Sequence, residues 1–143
     1  MRDFLINYIK EKSPSWSSTP TLYYGDKFMD CLVLVFGTPK TAIYAHMDSI
    51  GFTVRYQNQL VAIGGPDAES GQTLTGNDTL GPIECQLVVQ ENQMSYDFPR
   101  GIDPGTPLTF KCDFRETVDY ITSCSMDNRL GVYNALRVAE TLT

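Results

Sequence analysis

The sequence predicts a partial three-layer α/β domain interrupted by an inserted antiparallel, β-barrel-like domain. Three observations carry that expectation. Two short, near-continuous apolar runs stand early in the chain, Cys31 to Phe36 and Ala42 to Ala45. From Gly51 the pattern switches to alternation of apolar and polar residues. After Asp127 the apolar spacing becomes helical. The expected division is 1–50 for the first part of the α/β domain, 51–121 for the insertion, and 122–143 for the return to the first domain.

Each element has its own reason. Residues 2–12 read as a helix with Phe4, Leu5, Tyr8 and Ile9 on one face and Asp3, Asn7, Lys10 and Glu11 on the other. Ser13-Pro14 ends it, because the residue before a proline is driven out of the helical region. The Ser-, Thr- and Pro-rich stretch from Ser15 to Pro20 is a loop. The apolar runs 31–36 and 42–45 flank Gly37-Thr38-Pro39-Lys40 and suit strands covered on both faces. Beyond Gly51, three segments alternate with period two: Phe52-Val54-Tyr56, Ile83-Cys85-Leu87-Val89 and Leu108-Phe110-Cys112-Phe114. Leu60 to Ile63 is the return strand of the first hairpin. Turns are expected at Gly64-Gly65-Pro66, Gly76-Asn77-Asp78, Asn92-Gln93 and Asp103-Pro104-Gly105. A final helix runs from Arg129 to Leu142, with Val132, Ala135, Leu136 and Ala139 as its buried stripe.

Composition narrows the function. The 143 residues carry a net charge of -6, with 17 acidic and 11 basic side chains and no basic cluster. Such a chain is a poor partner for nucleic acid or an anionic membrane surface. No apolar run approaches the length of a membrane span, and the N-terminus carries no secretory pattern, so a cytoplasmic protein is expected. Cysteines at 31, 85, 112 and 124 form no CxxC pair and are expected as buried thiols, a disulfide or ligand role being the alternative.

Two places carry chemistry. His46-Met47-Asp48 follows directly on the run 42–45, and in extended geometry residues 46 and 48 project to the same side. The chemical reading is a metal-binding histidine oriented by an aspartate, and the alternative is a solvated strand end. Asp127 stands at a helix start, where it serves either as N-cap or as a ligand. Asn128 is a second candidate cap.

Taken together, these segments resemble the M42 family of metal-dependent aminopeptidases. The resemblance rests on Ala42-Ile43-Tyr44-Ala45-His46-Met47-Asp48-Ser49-Ile50-Gly51-Phe52, a β insertion, and Ser125-Met126-Asp127-Asn128-Arg129-Leu130-Gly131. Gly64-Gly65 and Gly101-Ile102-Asp103-Pro104-Gly105 are similar to further family turns, and the resemblance runs from Phe4 to Leu142. It implies His46 as a metal ligand, Asp48 as the catalytic carboxylate supporting it, and Asp127 as a carboxylate bridging two divalent metal ions, zinc or cobalt. It further implies peptide substrates and a homo-oligomer formed through the inserted, PDZ-like domain. The family has a second aspartate where Asn128 stands. Its Glu-Glu pair, a further acidic ligand and a second histidine come later than this sequence reaches. With one histidine in the sequence and Glu140 as the single acid after Asp127, about half of an active site is expected here. The other expected class is a shortened, inactive relative acting as an oligomerisation or binding module.

Overall fold

The computed structural model describes residues 1–91 and 93–142. Its architecture is mixed α/β, with two helices and a closed, six-stranded antiparallel barrel. The chain divides into two compact units. One is Ser49–Met126, against the 51–121 expected from the alternation, and the other is built from residues on either side of it.

In the flanking unit, helix α1 spans Arg2–Lys12, with Asp3 in its first turn and Lys10 and Lys12 in its last, each complementing the helix dipole. Leu5, Ile6 and Ile9 are its buried residues. Phe4 is 69% exposed and stacks on Tyr8 instead. The buried stripe is thus turned toward Ile6, and the expected face needs that correction. Strands β1 (Thr21–Tyr23) and β2 (Val33–Val35) form a two-stranded antiparallel sheet in the register Thr21↔Val35, Leu22↔Leu34 and Tyr23↔Val33. Helix α2 spans Met126–Thr141, but Asp127 and Asn128 have non-helical torsions, so its regular turns begin at Arg129. On its expected stripe Ala139 is buried, and Val132, Ala135 and Leu136 are half-buried. Glu140 joins the two helices: it accepts a 2.6 Å hydrogen bond from the Tyr8 hydroxyl and pairs with Arg137.

The two apolar runs behave differently from expectation. Of 31–36, Val33–Val35 forms a strand, paired among the described residues with β1 alone. The stretch 42–45 forms no strand, and Ile43 and Tyr44 are 64% and 92% exposed. A strand buried on both faces needs ladder partners for its amides and a layer over each face. Among the described residues, 42–45 has neither. The cysteine expectation is also corrected: Cys85 is buried, but Cys31 and Cys112 are exposed and Cys124 is half-buried. Cys31 precedes β2 and Cys112 follows the end of a strand, so neither sits in a ladder that would cover it.

The barrel unit is built from β3 (Gly51–Val54), β4 (Gln59–Ile63), β5 (Thr73–Asp78), β6 (Gly81–Gln90), β7 (Gln93–Asp97) and β8 (Pro107–Phe110), closed in the order β3-β4-β7-β6-β5-β8. Alternation places Phe52, Val54, Leu60, Leu74, Ile83, Cys85, Leu87, Tyr96 and Leu108 inside, where Ile102 joins them. The Tyr96 hydroxyl accepts a hydrogen bond from the Ile102 amide, so the buried ring keeps a polar partner. The first hairpin turns through Gln57 and Asn58, both with φ of 59°. Gly76-Asn77-Asp78 belongs to β5 rather than to a turn, and the chain reverses at Thr79 and Leu80. In the turn expected at Asn92-Gln93, Asn92 lies outside the described residues and Gln93 opens β7. The alternation of 108–114 leaves the barrel at Phe110, and Phe114 is 59% exposed. A short hairpin follows, with β9 (Arg115–Glu116) paired to β10 (Ile121–Thr122).

Two features hold the barrel shut. Strand β8 lies between β3 and β5, pairing Leu108 with Phe52 on one side and with Gly76 on the other. A Cβ on Gly51 would stand 2.5 Å from the Leu108 carbonyl oxygen, and one on Gly76 would stand 2.6 Å from that of Pro107. No flexible side-chain end is there to yield at either backbone oxygen. The second feature is Asp78, whose side chain is 0% exposed. Arg100 Nη1 and Nη2 donate to its two oxygens at 2.5 and 2.9 Å, and the Leu80 amide adds a third bond at 3.0 Å. Asp103 accepts from the Thr79 amide and hydroxyl, so the β5–β6 tip is bound to the loop before β8.

Gly76→Ala should therefore destabilise the protein by about 1–3 kcal/mol, the usual cost of overpacking a filled core. Chemical denaturation of the two proteins side by side checks this, and equal midpoints would refute it. The Arg100 guanidinium holds the Asp78 carboxyl down to about 2 from an ordinary 3.8. Its stabilising contribution is complete above the ordinary value and is lost as pH falls toward the folded one. An acid titration of barrel amide-exchange protection should show weakening in that window, and Asp78→Asn should flatten it.

Candidate metal centre

The three site residues predicted from sequence all belong to the flanking unit. His46 and Asp48 lie in a segment without regular secondary structure, and Asp127 stands just ahead of the regular turns of α2. The strand expected to present His46 is absent, but the approach of the three residues does not require it. His46 Nδ1 lies 3.2 Å from the Asp48 backbone carbonyl oxygen and 3.4 Å from its Oδ1. His46 Nε2 lies 3.0 Å from Asp127 Oδ1, across 81 positions of chain. The peptide joining Asp127 to Asn128 is cis.

Both ring nitrogens of His46 face oxygen acceptors. A carbonyl oxygen and a carboxylate oxygen both accept and never donate, so hydrogen bonds at both nitrogens together need a hydrogen on each, the imidazolium form. In neutral imidazole one of the two nitrogens keeps a lone pair, and on Nε2 that lone pair would face a carboxylate oxygen. Two electron-rich atoms 3.0 Å apart are stable when a cation lies with them, either a proton on Nε2 or a metal ion. The pKa of His46 is accordingly raised from its ordinary 6.5, first by the Asp48 carbonyl and then by Asp127, with partial burial opposing. The Asp48 and Asp127 side chains are 89% and 92% exposed, so solvent screens this pairing heavily.

The donor set fits part of a metal site. Zinc lies about 2.0–2.2 Å from imidazole nitrogen and carboxylate oxygen, so two such donors on one ion stand about 3 Å apart. Nε2 and Asp127 Oδ1 have that spacing. Asp48 lies on the Nδ1 side of the ring and cannot share an ion held at Nε2. Its place is that of a group orienting a ligating histidine. Among the described residues, no group of three or more His, Cys, Asp or Glu side chains gathers where one ion could bind.

The helix entry beside the site depends on a residue that motif reading left ambiguous. A Cβ on Gly131 would stand 2.6 Å from Asn128 Cγ, so the amide side chain lies directly over Gly131. That is the i, i+3 relation of an N-cap to its third helical residue. Asn128 thus stands at the position an N-cap takes, while Asp127 faces His46. The Asp48 carbonyl is the other contributor that side-chain motifs miss, since every residue carries one.

With a single histidine in the sequence, one imidazole signal reports the site. In metal-free protein that signal should titrate above 6.5, and Asp127→Asn should lower its midpoint. The associated stabilisation is present below the ordinary value and disappears as pH rises through the folded one. A proton NMR titration of His46 checks both, and a midpoint unmoved by Asp127→Asn would contradict the pairing. The chain matches no protein-family model and no curated protein.

Proposed function

We propose that this chain is the N-terminal portion of an M42-like aminopeptidase, releasing N-terminal amino acids from peptides with a pair of divalent metal ions, zinc or cobalt. The observation that carries the reading is the approach of His46 Nε2 to Asp127 Oδ1 at 3.0 Å, across 81 positions of chain. His46 and Asp127 would hold one ion, and the second oxygen of Asp127 is available to another. When bound, a dinuclear centre brings the pKa of a water molecule toward neutrality and polarises a carbonyl. Asp48 fixes the tautomer and rotation of His46 through its carbonyl oxygen, and its carboxylate stands close by, 3.4 Å from Nδ1.

In this reading the remaining donors, including a second imidazole and the general base, come from outside these residues, since the sequence holds one histidine. The flanking unit is then part of a three-layer α/β domain whose sheet is completed by the same missing segment. The barrel is the insertion through which cytoplasmic copies of the protein associate. Its β4 strand leaves Val61 and Ile63 49% and 46% exposed, an apolar pair suited to such a contact. That exposed pair also favours the second reading, a binding module without catalysis.

Calorimetric titration with zinc or cobalt separates the two. The enzyme reading expects weak binding by this chain, abolished by His46→Ala and by Asp127→Ala. Asp48→Ala keeps the backbone carbonyl and should weaken binding within the roughly 10–100-fold range of an orienting partner. Peptide hydrolysis by residues 1–143 alone should be no more than a trace. Zinc binding indifferent to both His46 and Asp127 would leave the binding module as the account.

A further inference from the structure

We infer that a divalent cation held between His46 and Asp127 locks helix α2 onto the rest of the flanking unit, so that cation supply governs whether that unit is fully formed. The inference rests on the cation site proposed above and is independent of peptide hydrolysis. The flanking unit is discontinuous: one piece is Met1–Asp48 and the other begins at Asp127. Helix α2 therefore joins α1 by docking, with the whole barrel unit as its covalent tether. Its apolar hold is slight. Ala139 is its one buried residue, while Leu130, Tyr133 and Val138 are exposed. Polar contacts reach the helix at each end. Near its C-terminus the Tyr8 hydroxyl donates to Glu140 at 2.6 Å, and the Glu140 side chain is 13% exposed. Ahead of its regular turns, Asp127 Oδ1 meets His46 Nε2 at 3.0 Å.

The two ends differ in what they need. The Tyr8–Glu140 bond is complete in itself, a hydroxyl hydrogen on a carboxylate. The His46–Asp127 approach sets a ring nitrogen against a carboxylate oxygen, and it becomes a bond between the pieces when both atoms hold one cation. Those two ligands come from different pieces, 81 positions apart. An ion that needs both binds the docked form of α2 and not the undocked form, and a ligand of one form alone stabilises that form by mass action. Binding free energy is then docking free energy, as wherever metal binding and folding are coupled. The local backbone leaves this role to the ion. Residues 41–50 form no regular structure, and Asp127 and Asn128 have non-helical torsions. Among the described residues, no ladder ties the two pieces together there. The barrel stands outside the effect, because its ladders close on themselves and neither ligand belongs to it.

The test is hydrogen–deuterium exchange, read by mass spectrometry, on the 143-residue protein with and without zinc at one fixed pH. Peptides from residues 129–141 should exchange more slowly with zinc, by up to about 100-fold when free zinc is about 100 times its Kd. Barrel peptides from β5 to β8 should exchange alike in both samples. His46→Ala and Asp127→Ala should each abolish the slowing. Tyr8→Phe, which removes the other contact, should hasten α2 exchange without zinc and leave the slowing by zinc in place. A His46 imidazole signal shifted by zinc with α2 exchange unchanged would overturn the lock and spare the site. Slowing shared equally by α2 and the barrel would also overturn it. An imidazole indifferent to zinc would remove site and lock together.

Discussion

The closure of β8 between β3 and β5 is the constraint on which the larger unit depends. Two glycines make it possible: Gly51 and Gly76 leave room for the carbonyl oxygens of Leu108 and Pro107 where a side chain would collide with them. A closed barrel has no edge strand, so its ladders are satisfied internally. Its core is drawn from its own residues, with Phe52, Leu74, Leu87 and Leu108 packed in one buried cluster. A self-sufficient insertion permits residues 46 and 127 to belong to the same flanking unit despite the chain that separates them.

The flanking unit brings its candidate site together differently. One imidazole stands between a backbone carbonyl on its Nδ1 side and a carboxylate on its Nε2 side. Exposed groups in this arrangement contribute little to stability, so its interest is chemical. An arrangement with lone pairs convergent on the same space is what a cation requires. Asn128, not Asp127, lies over the first turn of the helix, and Asp127 faces His46 instead.

Much of the barrel was legible because burial there follows period two. Ile83, Cys85 and Leu87 point inward as their alternation requires, and so do Phe52, Val54 and Leu108. Strands β5 and β7 were not read as strands. Thr73–Asp78 carries a single fully buried apolar residue, Leu74, and its glycine matters for approach rather than for turning. The run 42–45 failed for the opposite reason. Apolar character records a preference for burial, but the strand it suggests forms only where neighbours supply hydrogen bonds. Residue type and spacing left His46, Asp48 and Asp127 open between ligand and structural roles, and the family resemblance singled them out as site candidates. The atom that orients the histidine was not among them, because a backbone carbonyl leaves no mark in a sequence.

The central claim is that Nδ1 of His46 keeps its proton on the Asp48 carbonyl while Nε2, with Asp127, takes a cation. Nitrogen-15 NMR of the imidazole during zinc titration tests it most directly. The account predicts that the Nε2 resonance moves to the metal-bound range while Nδ1 remains protonated, and that Asp127→Ala suppresses the change. Zinc appearing at Nδ1, or an imidazole unmoved by zinc, would contradict it.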